Sequence, residues 1–79
     1  MPKSLHSERH QALALALAEQ RRRKGLTQAQ VAAALGRRQP FVANIESGQR
    51  RVDVVELLDI AAVLDLDVVA LLSSLAKQP

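Results

Sequence analysis

The sequence predicts an all-α domain built around a pair of short helices, and three observations carry that reading. The stretch TQAQVAAALGRRQPFVANIESG, from Thr27 to Gly48, is punctuated like two helices joined by a tight turn. Apolar residues recur at helical spacing along the rest of the chain, and a single aromatic, Phe41, stands among many Leu, Val and Ala, as in a helical core. The 79 residues and 8.6 kDa correspond to one domain with a thin core, which oligomerisation would help to stabilise.

Taken in order, residues 1–10 are polar and lack a folding signal, so they are expected to form a flexible arm carrying Lys3, His6, Arg9 and His10, with the domain proper over residues 11–76. Helix 1 runs from about Glu8 or His10 to Lys24, with Leu13 and Leu17 inward and Gly25 at its end. Four cations, Arg21 to Lys24, complement the negative end of its dipole. Thr27 is a good N-cap for helix 2, whose inner face is Val31, Ala32 and Leu35. Gly36 stops it, because a sharp turn with φ above zero costs little only for glycine. Helix 3 is short, with Pro40 in its first turn and Val42 and Ile45 inward.

That leaves Arg37, Arg38, Gln39, Ala43 and Asn44 outward. Arginine pairs bidentately with guanine and Gln or Asn with adenine, so Arg37, Arg38, Gln39 and Asn44 are the candidates for reading base edges. This pair of helices reads as a helix-turn-helix. Gln28, in the first turn of helix 2, lies where free N–H groups and the dipole favour a phosphate. Helix 4 is expected over about Asp53 to Leu64, N-capped by Asp53, with Val54, Leu57, Ala61 and Leu64 as its core stripe. Helix 5 spans about Asp67 to Ala76, with Val68, Leu71, Leu72 and Leu75 on one side. Together these two helices carry more apolar side chains than one small core needs. Val55, Val63, Val69 and Leu72 are the surplus, a candidate dimer interface. Phe41 reads either as core, packing on Ile45, or as a contact to a thymine methyl.

The segment GLTQAQVAAALGRRQPFVANIESGQRR, followed by VDVVELLDIAAVLDL, resembles the Xre family, which includes lambda-type phage repressors and Cro proteins; the likeness covers roughly residues 13 to 75. It implies a five-helix, lambda-repressor-like domain that binds double-stranded DNA as a homodimer on a pseudo-palindromic operator. By position, Arg21 matches the family's helix 1 arginine, which pairs with a glutamate at the end of the reading helix, here Glu46. Arg38 and Gln39 match positions whose side chains enter the major groove. The counterpart of Gln28 touches the backbone, as does the loop that here holds Arg50 and Arg51, which makes these three the candidate phosphate contacts. Where the family often ends helix 4 with glycine, this chain has Asp65, which puts the geometry of that turn in question.

Charge distribution agrees with a nucleic-acid partner. Net charge is only +3, yet residues 1–51 hold ten Lys and Arg against Glu8, Glu19 and Glu46, whereas residues 52–79 hold Lys77 against Asp53, Glu56, Asp59, Asp65 and Asp67. Neither a nucleophile-base-acid set nor a glycine-rich phosphate loop is present, which argues against an enzyme and a cofactor. His6 and His10 have metal-pair spacing on a helix but no third ligand, so no metal is expected. The run ALALALA is too short and too quickly followed by EQRRRK to act as a signal peptide, and no stretch reaches the ~18 to 20 apolar residues of a membrane span. With no cysteine either, a cytoplasmic protein is expected. A chain of this length leaves no room for a ligand domain, so the resemblance points to Cro, to restriction-modification controllers, or to an antitoxin with a toxin partner. A module that binds only protein is the alternative from another class.

Overall fold

A computed structural model describes residues 7–78 as five helices: α1 (Glu8–Arg23), α2 (Gln28–Ala34), α3 (Gln39–Glu46), α4 (Val54–Leu64) and α5 (Val68–Ala76). α1 packs on α3 and α5, α2 on α3 and α4, and α4 on α5. The core they enclose consists of Leu17, Val31, Ala32, Val42, Ile45, Leu57, Ile60 and Leu64, with Leu13, Leu26, Leu35, Phe41, Val52, Val63, Leu66, Val68 and Leu71 packed around it. α2 and α3, the two shortest helices, therefore contribute half of the central cluster between them. Their stability comes from this packing, since helices of seven and eight residues are marginal alone.

α1 holds the other helix ends together. C-terminal carbonyls of a helix have no partner within it, and α1 side chains supply several. Gln20 Nε2 donates to the Leu64 carbonyl at 2.9 Å, at the end of α4. Arg9 donates to the carbonyls of Leu75 and Gln78 at 3.1 and 2.7 Å, at the end of α5. The His10 ring lies 3.2 Å from the Gly48 carbonyl, just past α3. This corrects the extent of the arm expected at residues 1–10. Ser7 caps α1 by accepting from the His10 N–H at 3.0 Å, so Glu8, Arg9 and His10 are helical. Lys3 and His6 lie outside the described residues.

Four turns among the described residues use a positive φ, and two of them, at Gly36 and Asp65, decide how α2 and α4 end. Gly36 has φ 69°, and this lets the Arg37 N–H reach back to the Ala32 carbonyl at 2.8 Å, closing α2. Asp65 has φ 57° and ψ 43°, the left-handed conformation that glycine takes more cheaply. The turn questioned from sequence thus adopts the glycine-like geometry with an aspartate. The Leu66 N–H bonds to the Ala61 carbonyl at 2.9 Å, and Lys24 Nζ stands 3.4 Å from the Asp65 carboxylate.

Helix 4 departs from its expected stripe. Leu57, Ile60, Ala61 and Leu64 are its buried residues, whereas Val54 is 72% exposed. At 3.6 residues per turn Val54 lies roughly 70° from the centre of that stripe, and it sits in the first turn, at the edge of the packed region. In α5, Leu75 is buried and Val68 and Leu71 are half-buried, while Leu72 turns outward.

Candidate nucleic-acid interface

The start of α3 is exposed and the rest of the helix is anchored. Arg38 occupies its N-cap position without a capping side-chain bond, and Pro40 stands in the first turn, where the missing N–H costs nothing. Arg38, Gln39 and Asn44 are exposed, and Val42 and Ile45 hold the opposite face in the core. α2 begins with a reciprocal cap: the Gln30 N–H donates to Thr27 Oγ1 at 3.0 Å, and the Thr27 N–H donates to Gln30 Oε1 at 2.8 Å. The T-x-x-Q spacing that makes this capping box is visible in the sequence.

A continuous set of hydrogen bonds connects α1 and α2 to both ends of α3. Arg21 donates from Nε to Glu46 Oε2 at 2.6 Å and from Nη2 to Glu46 Oε1 at 2.9 Å, and its Nη1 reaches the Leu26 carbonyl at 2.9 Å. The side chains are only 12% and 8% exposed. Gln28 Nε2 donates to Glu46 Oε1 at 3.0 Å, and Gln39 Nε2 donates to Gln28 Oε1 at 3.0 Å. Gln39 is thus oriented through Gln28 by a charge pair at the far end of its own helix. Burial pushes the Glu46 carboxyl up, but hydrogen bonds from Arg21 and Gln28 and the charges of Arg21 and Arg22 outweigh it, leaving the group below its ordinary range. The Arg21 guanidinium is raised mainly by its bond to Glu46.

A second cluster lies beside α3. Phe41 is half-buried against the core, and the guanidiniums of Arg37 and Arg50 stand 4.4 and 4.6 Å from its ring centroid. Both meet Glu56 on the first turn of α4. Arg50 donates two parallel bonds of 2.9 Å to its carboxylate, and Arg37 Nη2 is 3.5 Å from Glu56 Oε2. The Asp53 N–H adds a bond to Glu56 Oε1 at 3.1 Å. The Arg50 fork and the Asp53 N–H hold the Glu56 carboxyl down to about 2.

The surplus apolar residues of α4 and α5 are mostly on the surface: Val55 is 68% exposed, Val69 78% and Leu72 47%. Leu58 joins them at 52%, and with Val69 it lines a groove between the two helices. Val63 differs, being half-buried and packed on the core.

A family model described as a helix-turn-helix domain matches residues 12–74. An XRE-family like protein from Pseudomonas syringae pv. tomato is 46% identical, with 90% of this chain and 88% of that one covered and a TM-score of 0.80. The chain belongs to the Xre family of helix-turn-helix regulators. The restriction-modification controller protein C.AhdI from Aeromonas hydrophila is 35% identical over 76% of this chain and 91% of that one, with a TM-score of 0.70. The clp gene regulator ClgR from Corynebacterium glutamicum is 26% identical over 86% and 72%, with a TM-score of 0.77. Among curated proteins, none matches. The family is one of DNA-binding regulators and not of enzymes.

In this Xre-family chain the structure brings the sequence-selected residues into two groups. Arg21, Gln28, Gln39 and Glu46 form one connected set, with Arg38 and Asn44 on the same exposed helix. Arg37 and Arg50 belong to the other, engaged with Phe41 and Glu56, while Arg51 is exposed on the neighbouring loop. Two features were missed from sequence: the contact of Gln28 with both Glu46 and Gln39, and the part played by Glu56. Asp53-x-x-Glu56 is a legible capping box, but its pairing with arginines across a loop leaves no periodic mark.

Replacing Glu46 with alanine leaves Arg21 and Gln28 without their acceptor. The expected cost is ~1 to 3 kcal/mol, with Arg21→Ala adding little on top of it. A double-mutant cycle by chemical denaturation measures the coupling; additive losses would reject it.

Acid should act through the same carboxylates. Both Glu46 and Glu56 are depressed in the folded state, so their stabilisation is present above the ordinary value of 4.5 and is lost as pH falls, for Glu56 through about 2. Denaturation midpoints are expected to drop between these limits, and less steeply for Glu56→Gln. Parallel curves for the two proteins would contradict the assignment.

Proposed function

We propose that the protein is a transcriptional regulator that binds a pseudo-palindromic operator as a homodimer, with α3 in the major groove. The observation that carries this reading is the bonded series Arg21, Glu46, Gln28, Gln39, which orients an exposed polar helix start where helix-turn-helix proteins read bases. Arg38, Gln39 and Asn44 supply donors and acceptors suited to guanine and adenine edges. Gln28, at the start of α2, and Arg51, on the loop after α3, take phosphates, and Arg37 and Arg50 join them once released from Glu56. A monomer of this size reads only a few base pairs. A two-fold pair places two α3 helices about 34 Å apart, one DNA turn. The exposed Val55, Leu58, Val69 and Leu72 give α4 and α5 an apolar surface that a second copy would cover.

Selection of bound sequences from random DNA, followed by affinity measurements at several salt concentrations, tests the DNA reading. Arg38→Ala or Gln39→Ala should flatten preference at one or two operator positions, a loss of ~1 to 3 kcal/mol in discrimination. Arg51→Ala should weaken operator and scrambled DNA alike and reduce the salt slope by about 0.9, the value for one phosphate. Gln28→Ala, the loss of a neutral side chain, should weaken binding with little change in slope. The assignment fails if Arg38→Ala shifts both DNAs equally while Arg51→Ala alters sequence preference.

Dimerisation is tested by sedimentation at micromolar concentration with Leu72→Asp and Val69→Asp beside the parent chain. A parent dimer, monomeric variants and weaker operator binding are expected, although neither residue is placed on DNA. Monomeric behaviour of the parent both free and on operator would remove the two-fold arrangement, and wild-type operator affinity in the variants would move the interface elsewhere.

A further inference from the structure

The Glu56 carboxylate has two guanidiniums within 4 Å, those of Arg50 and Arg37. Those guanidiniums flank the reading helix: Arg37 immediately precedes the N-cap residue of α3, and Arg50 follows its C-terminal end on the loop. Both carboxylate oxygens are in use. Oε1 accepts from Arg50 Nη1 and from the Asp53 N–H, and Oε2 accepts from Arg50 Nη2 with Arg37 Nη2 at 3.5 Å. Arg50 Nη1 also reaches the Arg51 carbonyl at 2.8 Å. Glu56 cannot easily swing away, because its Oε1 is held by the Asp53 N–H at 3.1 Å in the reciprocal cap of α4. The Phe41 ring beneath both cations confines them further.

A carboxylate and a phosphate offer a guanidinium the same two-acceptor geometry. Building on the DNA-binding reading above, we infer that Glu56 is a specificity-determining counter-ion that withholds Arg37 and Arg50 from DNA phosphates until operator docking exchanges the carboxylate for phosphate. The competition is unequal on arbitrary DNA. Glu56 is tethered at its bonding distance, so its effective concentration exceeds that of a phosphate in a loosely associated duplex. On the operator, base contacts by Arg38, Gln39 and Asn44 fix the duplex against α3, and its phosphates are then presented to both arginines at comparable effective concentration. Two of the basic residues flanking the reading helix thus add affinity mainly where the bases are right.

The test compares the parent chain, Glu56→Gln, Arg50→Ala and the double variant on a selected operator duplex and a scrambled one, between 50 and 200 mM salt. Glutamine at position 56 keeps an oxygen for the Asp53 N–H and removes the charge. Glu56→Gln is expected to bind scrambled DNA more tightly at low salt, with a slope steeper by about 0.9 to 1.8 for one or two added phosphates. Each added phosphate corresponds to roughly a 3.5-fold larger loss of affinity across that salt range. Operator affinity should rise less, so the ratio of the two falls. Arg50→Ala should leave the scrambled-DNA slope of the parent unchanged but lower that of Glu56→Gln by about 0.9. A folded Glu56→Gln with the parent's slope on scrambled DNA, or with equal losses on both duplexes, overturns the inference. Should Glu56→Gln fail to fold, Arg50→Lys keeps the charge, loses the two-pronged bond and carries the same expectation; an unchanged slope in it overturns the inference equally. A parent chain with no salt-dependent affinity for either duplex overturns the DNA-binding reading itself. Salt-dependent binding of the parent combined with indifference to Glu56 removes only the inference.

Discussion

The ion pair between Arg21 and Glu46 is the constraint on which the presentation of α3 depends. α3 has eight residues, too few to hold its own direction, and its inner face offers only Val42 and Ile45 to the buried core. With the half-buried Phe41 beside them, these apolar contacts set the depth of the helix but carry no directional bond. The two-pronged bond from α1 fixes the C-terminal end of α3, and Gln28 carries that fixation along α2 to Gln39 at the other end. A planar guanidinium is suited to this because its fork is directional, whereas an ammonium would tolerate many angles. Burial of a charge pair is a weak source of stability, so its value here lies in orientation.

The thin core makes the remaining polar bonds more consequential. Among the described residues twelve apolar side chains are buried, four of them alanine, which limits what burial alone can contribute. α1 offsets this by serving several helix ends at once, through Arg9, His10 and Gln20. Each of those bonds satisfies a carbonyl at or just past a helix end, and together they make α1 the element against which the others are registered. The same thinness leaves Val55, Leu58, Val69 and Leu72 with no place inside, which is why helices so rich in Val and Leu still show an apolar outer face.

Helix boundaries, caps and the turn at Gly36 were legible in the sequence because they are local: Thr27, Pro40, Asp53 and Gly36 act within four residues of where they stand. The inner faces followed from periodicity, with Val54 misplaced because a helical pattern does not reveal where the neighbouring helices stop. Glycine-like geometry at Asp65 was legible only as a question, since the residue type alone disfavours the conformation that the Leu66 and Lys24 contacts accompany. Arg21 and Glu46 were paired by family resemblance, not by spacing. What no local pattern recorded was the side-chain traffic between elements: Gln28 between Glu46 and Gln39, and Glu56 between Arg37 and Arg50. Residues far apart in sequence meet there, and their chemistry is ordinary for solvated surface positions until the fold assembles them.

The two clusters treat the side chains of the candidate interface in opposite ways. Immobilising a long side chain on binding costs roughly 0.5 to 1.5 kcal/mol, so a group already held in a usable geometry loses less when it meets its target. Gln39 is held by a neutral amide, which leaves its second set of bonding positions open and adds no charge to the site. Arg37 and Arg50 are held by a carboxylate, which restrains them but also cancels part of their charge. On the DNA-binding reading proposed above, the first arrangement would prepare sequence contacts without strengthening indiscriminate attraction, and the second would hold that attraction in check. On the same reading, a chain whose net charge is only +3 would keep a markedly basic segment without that segment acting at full strength on every duplex.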